Sequence, residues 1–143
     1  MKKGRAAAEN FVKQGARVVI CDLPTSEGQK LAKELGDANA LFVPTNVTSE
    51  TDVTKAIELA TAKFSRLDVL VNCAGIASAT RTYNFNKKKV HSLADFQKVI
   101  NVNLVGSFNM IRLVCHAFAK NEPNVDGQRG VIVNTASVAA FDG

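Results

Sequence analysis

Val69-Leu70-Val71-Asn72-Cys73-Ala74-Gly75 decides how this chain folds. Three consecutive branched apolar residues with no alternation mark a strand expected to be buried on both faces, as in a parallel sheet. Small residues follow at once and give a tight exit. A second stretch of the same kind, Val131-Ile132-Val133-Asn134-Thr135-Ala136-Ser137, lies further along the chain.

Outward from these two strands, strand and helix patterns alternate. Arg5 to Gln14 is Ala-rich and reads as a helix closed by Gly15. Arg17 to Cys21 is a short β-branched strand ending in Asp22. Ser26, with Gln29 three residues on, is expected to cap the next helix, which Gly36 ends. Leu41-Phe42-Val43 is a strand. Thr48 or Ser49 caps a helix with Val53, Ala56, Ile57, Ala60 and Phe64 at helical spacing. Ser78 to Ser92 reads as a polar loop. Ser92, with Asp95, caps a long helix whose apolar stripe is Phe96, Val99, Ile100, Leu104, Phe108 and Ile111, with Asn103 among them. Asn121 to Arg129 is a turn-rich connector. Strands separated by helices imply βαβ units in one domain spanning residues 1–143.

Such a sheet binds ligands at the carboxyl ends of its strands. Asp22, Asn46-Val47, Cys73-Ala74-Gly75 and Ser137 all fall there. An acidic side chain at Asp22 suits ribose hydroxyls and repels a 2′-phosphate, although an aspartate before Leu23-Pro24 also suits a turn. Gly4 opens the first helix, where a backbone without a side chain lets a pyrophosphate approach. Ala74 and Gly75 leave room for a flat ligand; alternatively, the turn needs Gly75 for its dihedral angles. Asn103 on an apolar stripe must find hydrogen bonds, holding either a water or a bend in the main chain near a site. Ser137 directly follows a strand and offers a hydroxyl to a substrate oxygen. No G-x-S-x-G frame surrounds it, so it is not read as a hydrolase nucleophile.

Composition narrows the field. The 143 residues are 46% hydrophobic with one Tyr and no Trp, which suits an aliphatic α/β core. The net charge of +5 is spread along the chain apart from Lys87-Lys88-Lys89, and no interleaved aromatics mark an RNA-binding face. Cys21, Cys73 and Cys115 show no metal-ligand spacing and read as buried free thiols; no metal site is expected. His91 and His116 read as surface or structural residues. Met1-Lys2-Lys3 is too short for a targeting peptide, and no run is long enough to span a membrane.

Taken together, these motifs resemble the short-chain dehydrogenase/reductase family over the whole chain. The family's N-N-A-G appears as Asn72-Cys73-Ala74-Gly75, its V-N-L-x-G as Val102-Asn103-Leu104-Val105-Gly106, its catalytic Ser as Ser137, and the last glycine of its glycine-rich turn as Gly4. The resemblance implies an α/β fold with a Rossmann-like doubly wound parallel sheet, here without the family's first strand and C-terminal strands. It implies NAD held by Gly4, Asp22, Leu23, Asn46, Val47, Asn72, Cys73, Ala74 and Gly75, and catalysis involving Ser137 and Asn103. Asn46 replaces the usual Asp against the adenine. Cys21-Asp22-Leu23-Pro24, the long Thr82-Tyr83-Asn84 loop in which Lys87-Lys88-Lys89 falls, Asn121-Glu122-Pro123, Gly127-Gln128-Arg129-Gly130 and Asn134 to Phe141 resemble a mitochondrial, homotetrameric branch of the family, which implies oxidation of 3-hydroxyacyl-CoA or hydroxysteroids and membership of a nucleic-acid-processing complex. The family's Tyr-x-x-x-Lys pair does not occur after Ser137, so the chain is expected to be inactive alone; the alternative is a non-catalytic truncated isoform acting as an interaction module. In the family's strand order the absent first strand lies mid-sheet, so two unpaired edges are expected to face each other.

Overall fold

The computed structural model describes residues 2–142. Helix α1 (Lys2–Lys13) leads into β1 (Val18–Asp22), α2 (Gly28–Leu35), β2 (Ala40–Pro44), α3 (Glu50–Phe64) and β3 (Val69–Asn72). A short hairpin, β4 (Tyr83–Asn84) and β5 (Lys89–Val90), precedes α4 (Leu93–Ile100). A π-helical segment (Asn101–Gly106) joins α4 to α5 (Ser107–Phe118). Strand β6 (Val131–Asn134) and the short α6 (Ala139–Asp142) complete the order.

The helix ends follow local chemistry. Ser49 accepts a hydrogen bond from the Asp52 backbone N–H and Ser92 one from Asp95, each satisfying a donor that the first helical turn leaves free. Gly15 and Gly36 take positive φ where α1 and α2 end. Ser26 acts differently from expectation. It accepts from Gly28 while Glu27 occupies the cap position of α2, so no side chain caps that helix.

Strands β1 and β2 form one parallel pair, with Val18 opposite Ala40 and Asp22 opposite Pro44. Strands β3 and β6 form another, with Val69 opposite Val131 and Asn72 opposite Asn134. The two pairs are not hydrogen-bonded to each other. Val18 N–H donates to Asn39 on the β2 side, so by alternation the main-chain groups of Val19 and Cys21 face the other way. Likewise Asp68 and Asn72 accept from Val131 and Thr135, which turns the main-chain groups of Val69 and Val71 outward. One layer of helices spans both pairs: α3 packs on β1 and β2 and against α5, which covers β3. On the other side α1 packs on β1, and Gly4 in its first turn lies against Cys73 just after β3. The two strand pairs are thus bridged by α3 and α5 and by the approach of Gly4 to Cys73, with no hydrogen bond between them.

The core gathers on the α3–α5 side of β3. Val53, fully buried, packs with Leu70, Met110, Val114 and Phe118, flanked by Val47, Ile57 and Ile132. Several expectations are corrected here. Strand β3 is not buried on both faces: Val69 is 42% exposed, because no helix among the described residues covers the face it shares with Val131 and Val133. The buried side of the long helix is not the stripe read from the sequence. Leu104 and Phe108 of that stripe are both 63% exposed, and Phe96 is exposed too, while Gly106, Asn109, Met110, Val114 and Phe118 face the core. The π segment adds a residue to one turn and rotates the register, which periodicity at 3.6 residues could not reveal. Cys115 is exposed on α5 and Cys73 is partly buried, so these two are not the buried thiols expected; Cys21 is partly buried as a residue, with its thiol turned inward. The polar loop contains the β4–β5 hairpin, whose Tyr83 and Phe85 rings meet edge to face at 4.9 Å.

Candidate active site

Each candidate residue owes its place to the end of a strand. At the end of β1, Asp22 accepts the Leu23 N–H through Oδ1 at 2.8 Å, and its carbonyl accepts the Thr45 N–H beyond β2. These bonds fix both exits side by side. The Cys21 thiol is held above its usual range by burial and by the Asp22 charge, against a Thr45 hydrogen bond that lowers it.

Asn46 heads a tight turn beyond β2. Its Oδ1 accepts from both the N–H and the hydroxyl of Thr48, and its own N–H donates to Asp52 Oδ2 at 2.9 Å. That last bond, with the Ser49 hydroxyl and Lys55, holds the exposed Asp52 carboxyl below its ordinary range. Leu23, Asn46 and Thr48 form one wall of an open groove of about 450 Å³; Ala94, Gln97 and Lys98 of α4 and Asn101 and Val102 of the π segment form the other. Gly106 allows this approach, since a Cβ there would lie 2.6 Å from Val47 Cγ2.

After β3, Cys73-Ala74-Gly75 runs into Ile76, which Asn103 grips from the π segment. Asn103 Oδ1 accepts the Ile76 N–H and Nδ2 donates to the Ile76 carbonyl, both at 2.9 Å. Both polar atoms of the amide are engaged, so of the two roles open to Asn103 the structure favours holding the main chain. The Asn103 carbonyl, left over by the π geometry, accepts the Ser107 hydroxyl at 2.7 Å. Gly75 is not required by its backbone: its φ is not positive, and an added Cβ would meet only Asn103 at 3.5 Å, an ordinary contact.

Strand β6 is locked to β3 where their exits begin. Asn72 Nδ2 donates to Asn134 Oδ1 at 2.9 Å, and Thr135 donates to the Asn72 carbonyl through both its N–H and its hydroxyl. Ser137 lies beyond this lock, exposed, with Oγ accepting the Ala139 N–H at 3.3 Å. Its proton stays available to a partner. No hydrogen bond joins Ser137 to Asn103. The structure therefore brings Leu23 and Asn46 together on one groove and Gly75 together with Asn103, and it sets Ser137 at a neighbouring strand exit.

Sequence reasoning missed Thr48, Asn134 and Thr135, which hold the site residues in place. The Asn46-Val47-Thr48 spacing carried the first signal, since an Asx turn bonds two residues on. The other two were readable only from the β3–β6 register. His91 Nε2 is buried without a hydrogen-bond partner.

Comparison with known proteins bears on this arrangement. A sequence profile described as short chain dehydrogenase matches residues 4–143. The chain belongs to the short-chain dehydrogenase family. It is 62% identical to 3-hydroxyacyl-CoA dehydrogenase type-2 of Drosophila melanogaster over 98% of this chain and 54% of the relative. With the Homo sapiens protein of the same name it shares 58% over 98% of this chain and 53% of the relative. It thus spans about half the length of the curated relatives it matches. Among solved structures, 3-hydroxyacyl-CoA dehydrogenase type-2 from Mycobacterium avium superposes with a TM-score of 0.85 at 37% identity, over 97% of this chain and 53% of that one. A 3-ketoacyl-(acyl-carrier-protein) reductase from Brucella melitensis, complexed with NADH, gives 0.80 at 35% identity, over 98% and 53%. As a short-chain dehydrogenase the chain has a Rossmann-like fold, its two parallel strand pairs being parts of that sheet.

Proposed function

We propose that this chain is the dinucleotide-binding part of an NAD-dependent dehydrogenase that oxidises a secondary alcohol, a 3-hydroxyacyl-CoA or a hydroxysteroid. The observation that carries the reading is that Leu23 and Asn46, at the exits of β1 and β2, line a groove large enough for a nucleotide base, while Ala74-Gly75 and Ser137 stand at the exits of β3 and β6. Gly75 supports it, because neither backbone conformation nor protein packing demands a glycine there. The names of the relatives support the substrate class, and the NADH complex of the Brucella protein supports a nicotinamide cofactor.

The residues present fit such a cofactor. Leu23 and Val102 offer apolar walls to a base, Asn46 a polar edge, Asp22 a carboxylate to ribose hydroxyls, and Gly4 in the first turn of α1 a backbone approach for a pyrophosphate. When bound, the nicotinamide supplies the hydride acceptor. Asn103 holds Ile76 and with it the Cys73–Gly75 turn, while the Asn72–Asn134 and Thr135 bonds fix the path to Ser137. Ser137 donates its hydroxyl proton toward the reacting oxygen and orients it. It cannot by itself move a proton at neutral pH. The experiment is calorimetric titration of the chain with NAD: saturable binding that weakens in Leu23→Ala and Gly75→Val supports the reading, and absence of binding refutes it.

One observation favours a second reading. Phe96, Leu104 and Phe108 leave an apolar stripe exposed along α4, the π segment and α5, which suits a chain that pairs with other subunits, as a homo-oligomer or as a non-catalytic interaction module. The module reading predicts association without NAD binding.

A further inference from the structure

The polarity of one groove wall is fixed by the fold. Asn46 is held on every side but one. Its N–H donates to Asp52 Oδ2, its carbonyl accepts the Ser49 N–H, and its Oδ1 accepts the N–H and hydroxyl of Thr48 at 3.1 and 2.8 Å. A backbone N–H has only a proton to give, so the atom facing Thr48 is the oxygen and the amide orientation follows. Nδ2 is left with no hydrogen-bond partner among the described residues, on a side chain that lines the groove. Asn46 therefore offers the groove a donor.

We infer that the groove reads its purine by donating a hydrogen bond from Asn46, and so accepts a dinucleotide carrying a 6-oxopurine at least as well as one carrying adenine. The inference rests on the reading of the groove as the base site. A carboxylate at this position has the same shape. One oxygen would still hold Thr48, and the other would offer an acceptor, matching an exocyclic amino group and repelling a carbonyl. An amide reverses that preference: Nδ2 meets a carbonyl oxygen or a ring nitrogen, and faces an amino group donor to donor. Asp52 makes the choice of amide intelligible. Its carboxylate already lies against the Asn46 main chain, so a second carboxylate at position 46 would add like-charge repulsion.

The test is calorimetric titration of the chain and its Asn46→Asp and Asn46→Ala variants with NAD and with nicotinamide hypoxanthine dinucleotide, circular dichroism confirming that each is folded. The wild type should bind the hypoxanthine form within about threefold of NAD or more tightly. Asn46→Asp should favour NAD by about tenfold, the effect of one hydrogen bond exchanged for a repulsion. Should that variant not fold, Asn46→Ala decides, by weakening the hypoxanthine form at least as much as NAD. A wild type that favours NAD as strongly as Asn46→Asp, or a ratio that neither substitution moves, overturns the inference while leaving the base site standing. Binding of neither dinucleotide removes the base site itself, and the inference with it.

Discussion

Asn103 holds Ile76 by both main-chain polar groups, with Oδ1 on the N–H and Nδ2 on the carbonyl, each at 2.9 Å. One side chain thus ties the π segment to the exit of β3. Asn103→Ala leaves both groups of Ile76 without a protein partner and should lower stability by about 1–2 kcal/mol in urea denaturation. Asn103→Asp retains the bond from the Ile76 N–H and should recover about half of that loss. Equal stability of wild type and Asn103→Ala would show that the tie is incidental.

Asp22 sets the expected cofactor preference. Its carboxylate ends β1 beside Leu23 on the groove wall, where a 2′-phosphate would meet negative charge. The wild type should bind NAD at least about tenfold more tightly than NADP, and Asp22→Ala should bring the two within about threefold. Titration with both cofactors measures it. Equal affinities in the wild type would remove Asp22 from the site.

Gly106 faces Val47 too closely to carry a side chain, with a Cβ predicted at 2.6 Å from Val47 Cγ2. Gly106→Ala should cost about 1–3 kcal/mol by overpacking. Because Val47 adjoins Asn46, it should also weaken dinucleotide binding. A variant as stable as wild type with unchanged affinity would contradict the packing described here.

The start of α3 should respond to acid. Asp52 is held below its ordinary carboxyl range by the Asn46 N–H and the Ser49 hydroxyl. A depressed folded-state value means the stabilisation is present above the unfolded carboxyl value, about pH 3.9, and disappears as pH falls through the folded one. Asp52→Asn should therefore flatten the acid limb of the stability profile below about pH 4, while Ser49→Ala lowers stability by about 1 kcal/mol through loss of the cap. Thermal melting between neutral pH and strong acid checks both.

Ser137 alone should not turn over substrate. The single tyrosine, Tyr83, sits on the β4–β5 hairpin against Phe85, and the Tyr83/Lys87 spacing there is not on a helix. The chain should form no NADH from 3-hydroxybutyryl-CoA. Activity that vanished in Tyr83→Phe would overturn this.

The sequence made the strand exits legible because they combine branched apolar runs with small or polar residues, a pattern set within a few positions. Asp22, Asn46, Gly75 and Ser137 were placed at strand exits that way. The caps at Ser49 and Ser92 were equally local. What escaped depends on distant pairing. Asn134 and Thr135 matter only through the β3–β6 register, and the covered side of the long helix changes at Asn101–Gly106, where the period is no longer 3.6. The hairpin at Tyr83 escaped because each of its strands is two residues long, too short for alternation to register.

The unpaired edges at Val19–Cys21 and Val69–Val71 have a consequence for handling the isolated chain. Each presents a row of free donors and acceptors with branched side chains beside it, a template on which another copy can align. Solubility should then fall with protein concentration more steeply than heating would suggest, and growth into thioflavin-positive fibrils should be seeded by preformed aggregates.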